Sequence, residues 1–176
     1  MAVIEAIETV YLEVDNVTIV TFTAIPATYE HLQLRVSSHD QDNVGANYLL
    51  VRLNNDSGSN YSSHFMEGYG SGKYASAATG ATSGKWGTAI GAKNLATEYS
   101  NSVIDILDYA NTNKNTTIQY LSGFGTSLST AQNVKIGSSL WDDTSAVSEI
   151  DIYAIDSPTD AFQRGTEMTL YGLNSS

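Results

Sequence analysis

Apolar and polar residues alternate along several short stretches of the chain. The clearest stretch is 31–37, where Leu32, Leu34 and Val36 are each followed by a polar residue. A period of two predicts a strand with one buried face and one wet face. Stretches 17–22 and 48–53 are almost continuously apolar or β-branched, which is typical of strands that are covered on both faces.

Stretch 103–109 fits two kinds of element, because its apolar residues could also mark one face of a helix. Its β-branched content and the turn-forming run Asn-Thr-Asn-Lys-Asn at 111–115 favour a strand that leads into a connection. Further strands are predicted at 116–121, 133–140, 148–154 and 166–170. About eight or nine strands and no long helix predict an all-β fold, an antiparallel β-sandwich of jelly-roll type.

The length of 176 residues predicts a single domain over 1–176, in which two segments differ from the rest. Segment 1–15 is interpreted as an N-terminal arm or edge strand, because apolar residues such as Val3 and Ile4 stand beside Glu5 and Glu8. Such a strand could add to the sheet of a neighbour. Segment 68–91 contains seven glycines and few large apolar residues, so it is predicted to be a glycine-rich excursion that contacts something else.

Composition and charge exclude several classes of function. Charged residues make up only 15% of the chain, and the net charge is −11. The few basic residues are scattered, so the sequence lacks the basic footprint that nucleic-acid binding requires. The same negative charge disfavours binding to anionic membrane surfaces. No apolar run approaches the ~20 residues that span a bilayer. Because cysteine is absent, thiolate chemistry and disulfides are excluded.

Two loops resemble ligand-binding motifs without meeting their requirements. Segment 80–85 is one residue too short between its glycines for a phosphate loop, and Trp86 stands where a magnesium-binding hydroxyl belongs. Segment 40–45 begins like a calcium loop, but Val44 and Val51 occupy positions that need oxygen ligands. We therefore predict ordinary turns and no cofactor, while a calcium ion held by Asp and Asn stays open as an alternative.

No catalytic constellation is visible in the sequence. His31, His39 and His64 lack the surrounding motifs of a serine hydrolase or a zinc enzyme. Acidic pairs occur at 142–143 and at 105 and 108, but pairs arise readily among 19 acids, and a glycosidase needs two carboxylates across a cleft. The chain is therefore predicted not to be an enzyme, with no catalytic or metal-binding residue assigned.

The aromatic residues suggest a different function, in which an aromatic surface of the protein binds a ligand. Eleven Tyr and two Trp occur among many Asn, Ser and Gly residues, a composition shared with adaptable binding surfaces. Trp86 and Trp141 are weak candidates for stacking on sugar rings. Tyrosine is also a good strand former, so a purely structural role for these residues stays open.

Five segments that together extend from residue 21 to residue 173 resemble small virion structural proteins of tailed phages, of the type found in marine and cyanobacterial phages. One departure is Asn55, which stands where the usual loop has glycine. The segments are TFTAIPATYEHLQLRV (21–36), RLNNDSGSNYS (52–62), IDILDYANTNKNTTIQYLSG (104–123), LWDDTSAVSEIDI (140–152) and GTEMTLYGL (165–173).

This resemblance implies a single β-sandwich on the surface of the virion, without an active site. The function expected from it is a capsid decoration (cement or knob) protein that binds the major capsid protein as a closed homo-oligomer, such as a trimer. The alternative is a tail or fibre module that binds a host surface glycan through Trp86, Trp141 and exposed tyrosines.

Overall fold

The protein is built almost entirely from β-strands. A computed structural model describes residues 3–41, 46–91, 97–125, 132–154 and 161–175. These residues form twelve strands and contain no helix, so the all-β prediction is confirmed. The strands are β1 (Val3–Tyr11), β2 (Ile19–Phe22), β3 (His31–Asp40), β4 (Ala46–Leu53), β5 (Tyr61–Tyr69), β6 (Gly72–Ala81), β7 (Gly84–Gly91), β8 (Ser100–Leu107), β9 (Thr116–Phe124), β10 (Asn133–Trp141), β11 (Ile150–Ala154) and β12 (Glu167–Asn174).

All twelve strands belong to one continuous hydrogen-bonded sheet with two portions. The first portion is antiparallel and has the order β1-β12-β3-β8-β9-β10-β5-β6, and the second has the order β2-β11-β4-β7. Strand β3 joins them, because its end at His39 and Asp40 pairs with Ile90 and Gly91 of β7. This last pairing is parallel, so the sheet is mixed and the expectation of a purely antiparallel sheet is wrong.

Alternation of buried and exposed residues positions the strands of the first portion. Leu32, Leu34 and Val36 of β3 are buried as predicted, and Ile104 and Ile106 of β8 follow the same period. Stretch 103–109 is therefore a strand that ends at Leu107, after which Asp108 turns the chain with a φ of 51°.

Twelve strands exceed the eight or nine expected because segment 68–91 is not a loose excursion. It contains the end of β5, the edge strand β6 and the buried strand β7. Small residues in β7 reflect close packing, since a Cβ atom on Gly87 would lie 2.6 Å from the Ser102 Oγ atom and 2.9 Å from the Leu49 Cδ1 atom. The glycines that indicated a loop therefore allow β7 to pack closely against its neighbours inside the protein.

Segment 1–15 contains β1, an edge strand that pairs only with β12 among the described strands. Its register places Val3 opposite Asn174 and Tyr11 opposite Glu167, with a bulge between Ala6 and Glu8. Of the two alternatives proposed for this segment, the structure thus has the edge strand.

The buried side chains form a single apolar cluster that draws on both portions of the sheet. Strands β4 and β7 contact strands of the first portion directly. The Thr88 amide donates to the Ser122 hydroxyl at 3.0 Å, and the rings of Tyr48 and Phe65 lie 6.0 Å apart. These contacts cover one face of the first portion and leave its other face open to solvent.

Candidate functional site

Both tryptophans are buried, which removes them as stacking platforms for a sugar. The Trp86 side chain is 0% exposed, and its indole nitrogen would lie 2.0 Å from a Cβ atom placed on Gly84. Trp141 is 1% exposed, and its Nε1 atom donates to the Asp56 Oδ2 atom at 2.7 Å. Their roles are therefore in the core and in anchoring a turn.

The acidic pairs and the histidines are spread over several contacts, and one groove has a member of each, Asp105 and His64, in its lining. Asp105 accepts a hydrogen bond from Gln33 at 2.8 Å. The Asp108 carboxylate pairs with Lys114 at the surface, and the Asp108 amide donates to the His31 Nδ1 atom at 3.0 Å. The Lys114 ammonium holds the pKa of the Asp108 carboxyl below its usual value. Each of these contacts engages a surface side chain with a neighbouring residue of the protein itself.

The two loops that resemble ligand-binding motifs differ in how far the structure describes them. Segment 80–85 forms the tight turn between β6 and β7, with Gly80 at a φ of 67°. Asp40 of segment 40–45 accepts from the Asn47 amide at 3.2 Å, while residues 42–45 lie outside the described ranges. Among the described residues, no group of three or more His, Cys, Asp or Glu side chains is arranged to hold a metal ion. The described part of the chain also contains no helix that is long and apolar enough to cross a membrane.

One buried charge lies between the two portions of the sheet. The Lys135 side chain is 4% exposed, and its Nζ atom lies 3.4 Å from the Glu67 Oε2 atom and 4.3 Å from the centre of the Tyr48 ring. Burial lowers the pKa of the lysine, and Glu67 partly offsets this effect. Because Asn133 donates to the same carboxylate, the group is enclosed by its own partners and joins β5 to β10.

The open face of the first portion carries an exposed row of apolar side chains. Ile136 of β10 lies directly opposite Met66 of β5 and Leu121 of β9, and Leu121 lies opposite Val103 of β8. Directly paired residues point to the same side of a sheet, so these four side chains form a line across four strands. We call them, together with the neighbouring Val134, the apolar ladder; their exposure ranges from 38% to 59%.

Two shallow grooves lie on either side of the apolar ladder. One, of about 620 Å³, is lined by Ile136, Leu121 and the next row of residues, which includes His64 and Asp105. The other, of about 510 Å³, is lined by Met66, Val134 and the β6 residues Lys73, Tyr74 and Ala75. A ridge between two grooves is a shape into which a second sheet can interdigitate.

The face around the apolar ladder is poor in acidic residues although the whole chain has a charge of −11. The row beside the ladder contains His64, Ser138, Gln119 and Asp105, which are paired across β5, β10, β9 and β8. Depletion of charge around exposed apolar side chains is typical of the core of a protein interface.

A second exposed feature is the free edge of β1. Val3, Ile4 and Tyr11 are between 44% and 60% exposed, and one side of the strand pairs with β12 while the other has no neighbour among the described strands. Glu5 and Glu8 place negative charge on this strand, a common protection of sheet edges against uncontrolled pairing.

Sequence reasoning predicted that segment 1–15 makes contacts, but it missed the apolar ladder. Met66 lies in a strand that was not predicted, and Ile136 becomes its neighbour only through the register of β5 and β10. A signal was present in the alternation of Val134, Ile136 and polar residues in stretch 133–140, but alternation alone does not say which of the two faces is covered.

Comparison with other proteins assigns no family to the chain. No protein-family model matches the sequence, and no curated protein is significantly similar to it.

Proposed function

We propose that this chain is a virion structural protein of a tailed phage, a capsid decoration protein that binds the major capsid shell and stabilises the particle. The five segments that resemble phage virion proteins support this proposal, and the all-β fold is compatible with it. The observation that carries the proposal in this structure is the free edge of β1, which offers a strand and exposed apolar side chains to a neighbour.

We also infer that the two portions of the sheet face each other as a β-sandwich of jelly-roll type. The hydrogen bond from the Thr88 amide to Ser122 and the contact between Tyr48 and Phe65 support a second layer over β5, β8 and β9. A sandwich presents flat faces and strand edges, which suits a protein that works by contact.

The mechanism follows from strand addition. A strand of the capsid protein pairs with the free edge of β1, where backbone hydrogen bonds supply affinity and side chains such as Val3 and Ile4 supply specificity. A homo-oligomer, for which a trimer is our expectation, engages several shell subunits at once. Avidity then replaces strong single contacts, so modest individual affinities are sufficient to stabilise the particle.

A first experiment counts copies of the chain in purified particles, by quantitative staining against the major capsid protein. We expect hundreds of copies per particle, because a decoration protein follows the symmetry of the shell. A few dozen copies or fewer would contradict the proposal and favour the tail or fibre module, whose glycan contacts would then have to come from tyrosines such as Tyr69 and Tyr74, both 50% exposed.

A second experiment tests the edge of β1 with shells that lack the protein. Ile4 is 60% exposed, so Ile4→Asp leaves the core intact and is expected to weaken binding to empty shells by about tenfold. Val14→Asp is the matched control, because Val14 is 63% exposed and lies outside β1. Equal shell binding by the two variants would show that β1 is not the contact.

A further inference from the structure

We propose that the face bearing the apolar ladder binds a second copy of this chain, face to face, around a two-fold axis that runs parallel to the strands between β9 and β10. This contact is separate from the edge of β1 and does not depend on the function proposed above. A self-complementary face closes after two copies, so it predicts a dimer of the free chain, and the expected trimer would have to use other surfaces.

Apolar complementarity follows from the order of the strands. A two-fold axis between β9 and β10 places β10 over β9 of the second copy, and β5 over β8. Ile136 then faces Leu121 of the second copy, and Met66 faces Val103 of the second copy. Met66, Ile136, Leu121 and Val103 of the apolar ladder thus each face an apolar side chain of the second copy. The ladder of one copy also lies beside the grooves of the other.

Charge complementarity selects this axis. In the next row, the same operation places His64 opposite Asp105 of the second copy, and Ser138 opposite Gln119. The imidazole can donate a hydrogen bond to that carboxylate in either protonation state, and Asp105 retains its bond from Gln33 at 2.8 Å. An axis at right angles, along the ladder itself, would instead bring Arg35 against Arg35 of the second copy, since Arg35 is the residue paired with Val103 on β3.

The size of the face is adequate for a stable dimer. The six strands from β6 to β3 give a width of about 24 Å and strands of eight residues a length of about 27 Å. This footprint approaches the ~800 Å² per partner that stable interfaces bury. Two chains of charge −11 repel each other, so a contact at this face also explains why acidic residues are scarce there.

The test is sedimentation of the purified full chain over a range of concentrations. We expect the wild type to form dimers and Ile136→Asp to weaken the dimer about tenfold or more, because Ile136 is central in the row and 55% exposed. Val14→Asp carries the same added charge outside this face and should dimerise as the wild type does. A chain that stays monomeric up to about 1 mM, or whose self-association is unchanged by Ile136→Asp, would overturn the proposal.

A charge-swap pair tests the axis independently of the apolar row. His64→Glu places two acids opposite each other twice per dimer, so the dissociation constant should rise about threefold or more. Asp105→Lys in the same chain should restore the affinity, because it re-creates opposite charges at both positions. If the dimer of the double variant dissociates as readily as that of His64→Glu, the proposed pairing is wrong. The same conclusion follows if Ile136→Asp and Val14→Asp dimerise equally.

Discussion

At the scale of single residues, Asn54 shows how one side chain can hold two distant segments together. Its Nδ2 atom donates to the Ala146 carbonyl at 2.9 Å, and its Oδ1 atom accepts from the amides of Ser148 at 2.9 Å and Glu149 at 3.2 Å. The residue has a φ of 52°, in the left-handed region that asparagine tolerates better than most residues. Asn55 follows with a φ of 54°.

Asn54→Ala is expected to lower the free energy of unfolding by about 2 to 4 kcal/mol, because it strains the backbone and removes four hydrogen bonds, the fourth from the Ser148 hydroxyl at 3.4 Å. Asn54→Gly loses the same bonds but accepts the positive φ, so it should cost about 1 kcal/mol less than the alanine variant. Urea unfolding of the three proteins measures both effects. If the alanine variant is as stable as the wild type, the side chain does not join the two segments.

Asp56 organises the next turn and links its stability to pH. It accepts hydrogen bonds from the Trp141 indole at 2.7 Å, the Asn60 amide at 2.9 Å and the Gly58 amide at 2.8 Å. Burial would raise the pKa of this carboxyl, but the three hydrogen bonds outweigh it and the pKa is lowered. The stabilisation is therefore present above pH 3.8, the ordinary value for Asp, and is lost as the pH falls through the lowered pKa.

Asp56→Asn is expected to reduce stability at pH 7 by about 1 to 3 kcal/mol, because the amide leaves part of the donor set unsatisfied. Below pH 3.8 the difference between the variant and the wild type should shrink, since the stabilisation by the charged carboxyl is lost as the pH falls through its lowered pKa. Urea midpoints at pH 7 and pH 3 give the comparison, with Glu8→Gln as an exposed acid-to-amide control. A difference that is the same at both pH values would contradict this role of the charge.

At the scale of elements, Gly137 and Tyr120 show how neighbouring strands fit. The two residues are directly opposite on β10 and β9, and a Cβ atom on Gly137 would lie 2.4 Å from the Tyr120 ring. The ring therefore covers the glycine, an arrangement that compensates for a missing side chain in a sheet.

Gly137→Ala should destabilise the protein by about 1 to 3 kcal/mol, because a buried ring must move to admit the methyl group. Gly125→Ala is the control, since a Cβ atom there meets nothing within 4 Å. Thermal unfolding of both variants checks the prediction. Equal melting temperatures would mean that the ring moves without cost.

The same scale shows which strands could be predicted from the sequence. Strand β3 was predicted because one face is buried and the other is wet, which leaves a period of two. Strand β8 has the same alternation of burial, but it was predicted from its β-branched residues and the turn that follows. Strand β6 left no such pattern, because at the sheet edge almost all of its residues are at least partly exposed on both faces. Strand β7 is buried almost throughout and uses glycine and alanine for close contacts, so its composition indicated a loop.

At the scale of the whole molecule, buried tyrosines set the response to alkali. Tyr61 is 1% exposed and Tyr120 is 3% exposed, and burial raises the pKa of both hydroxyl groups. Their protonated forms therefore contribute stability that is complete below pH 10, the ordinary value for tyrosine, and that is lost as the pH rises above it. Lys135 has the opposite effect. Because its pKa is lowered in the folded protein, its contribution to the free energy of unfolding increases with pH up to 10.5, the ordinary value for lysine.

We expect the free energy of unfolding to fall steeply above about pH 10.5, where the lysine no longer compensates for the two tyrosines. Tyr120→Phe should flatten this fall and change stability little at pH 7, because the Tyr120 hydroxyl has no hydrogen-bond partner among the described residues. Denaturant unfolding between pH 8 and pH 11.5 measures the slopes. Identical alkaline slopes for the variant and the wild type would contradict this assignment.

Surfaces were harder to predict than strands because they are properties of the assembled sheet. The free edge of β1 could be expected from Val3, Ile4 and their acidic neighbours within one segment. The apolar ladder could not, because its members come from β5, β8, β9 and β10 and meet only through the register of those strands. Long-range pairing of this kind leaves no trace in local periodicity.

The position of β12 between β1 and β3 has a consequence for the order of folding during synthesis. Strand β1 is made before the other described strands, yet its only described hydrogen-bonding neighbour is β12, more than 150 residues later. Closing so long a loop is slow, so β1 must wait in an unpaired state until residues 167–174 have been made. During that interval the nascent chain displays an unpaired strand, on which the charges of Glu5 and Glu8 oppose pairing with other chains.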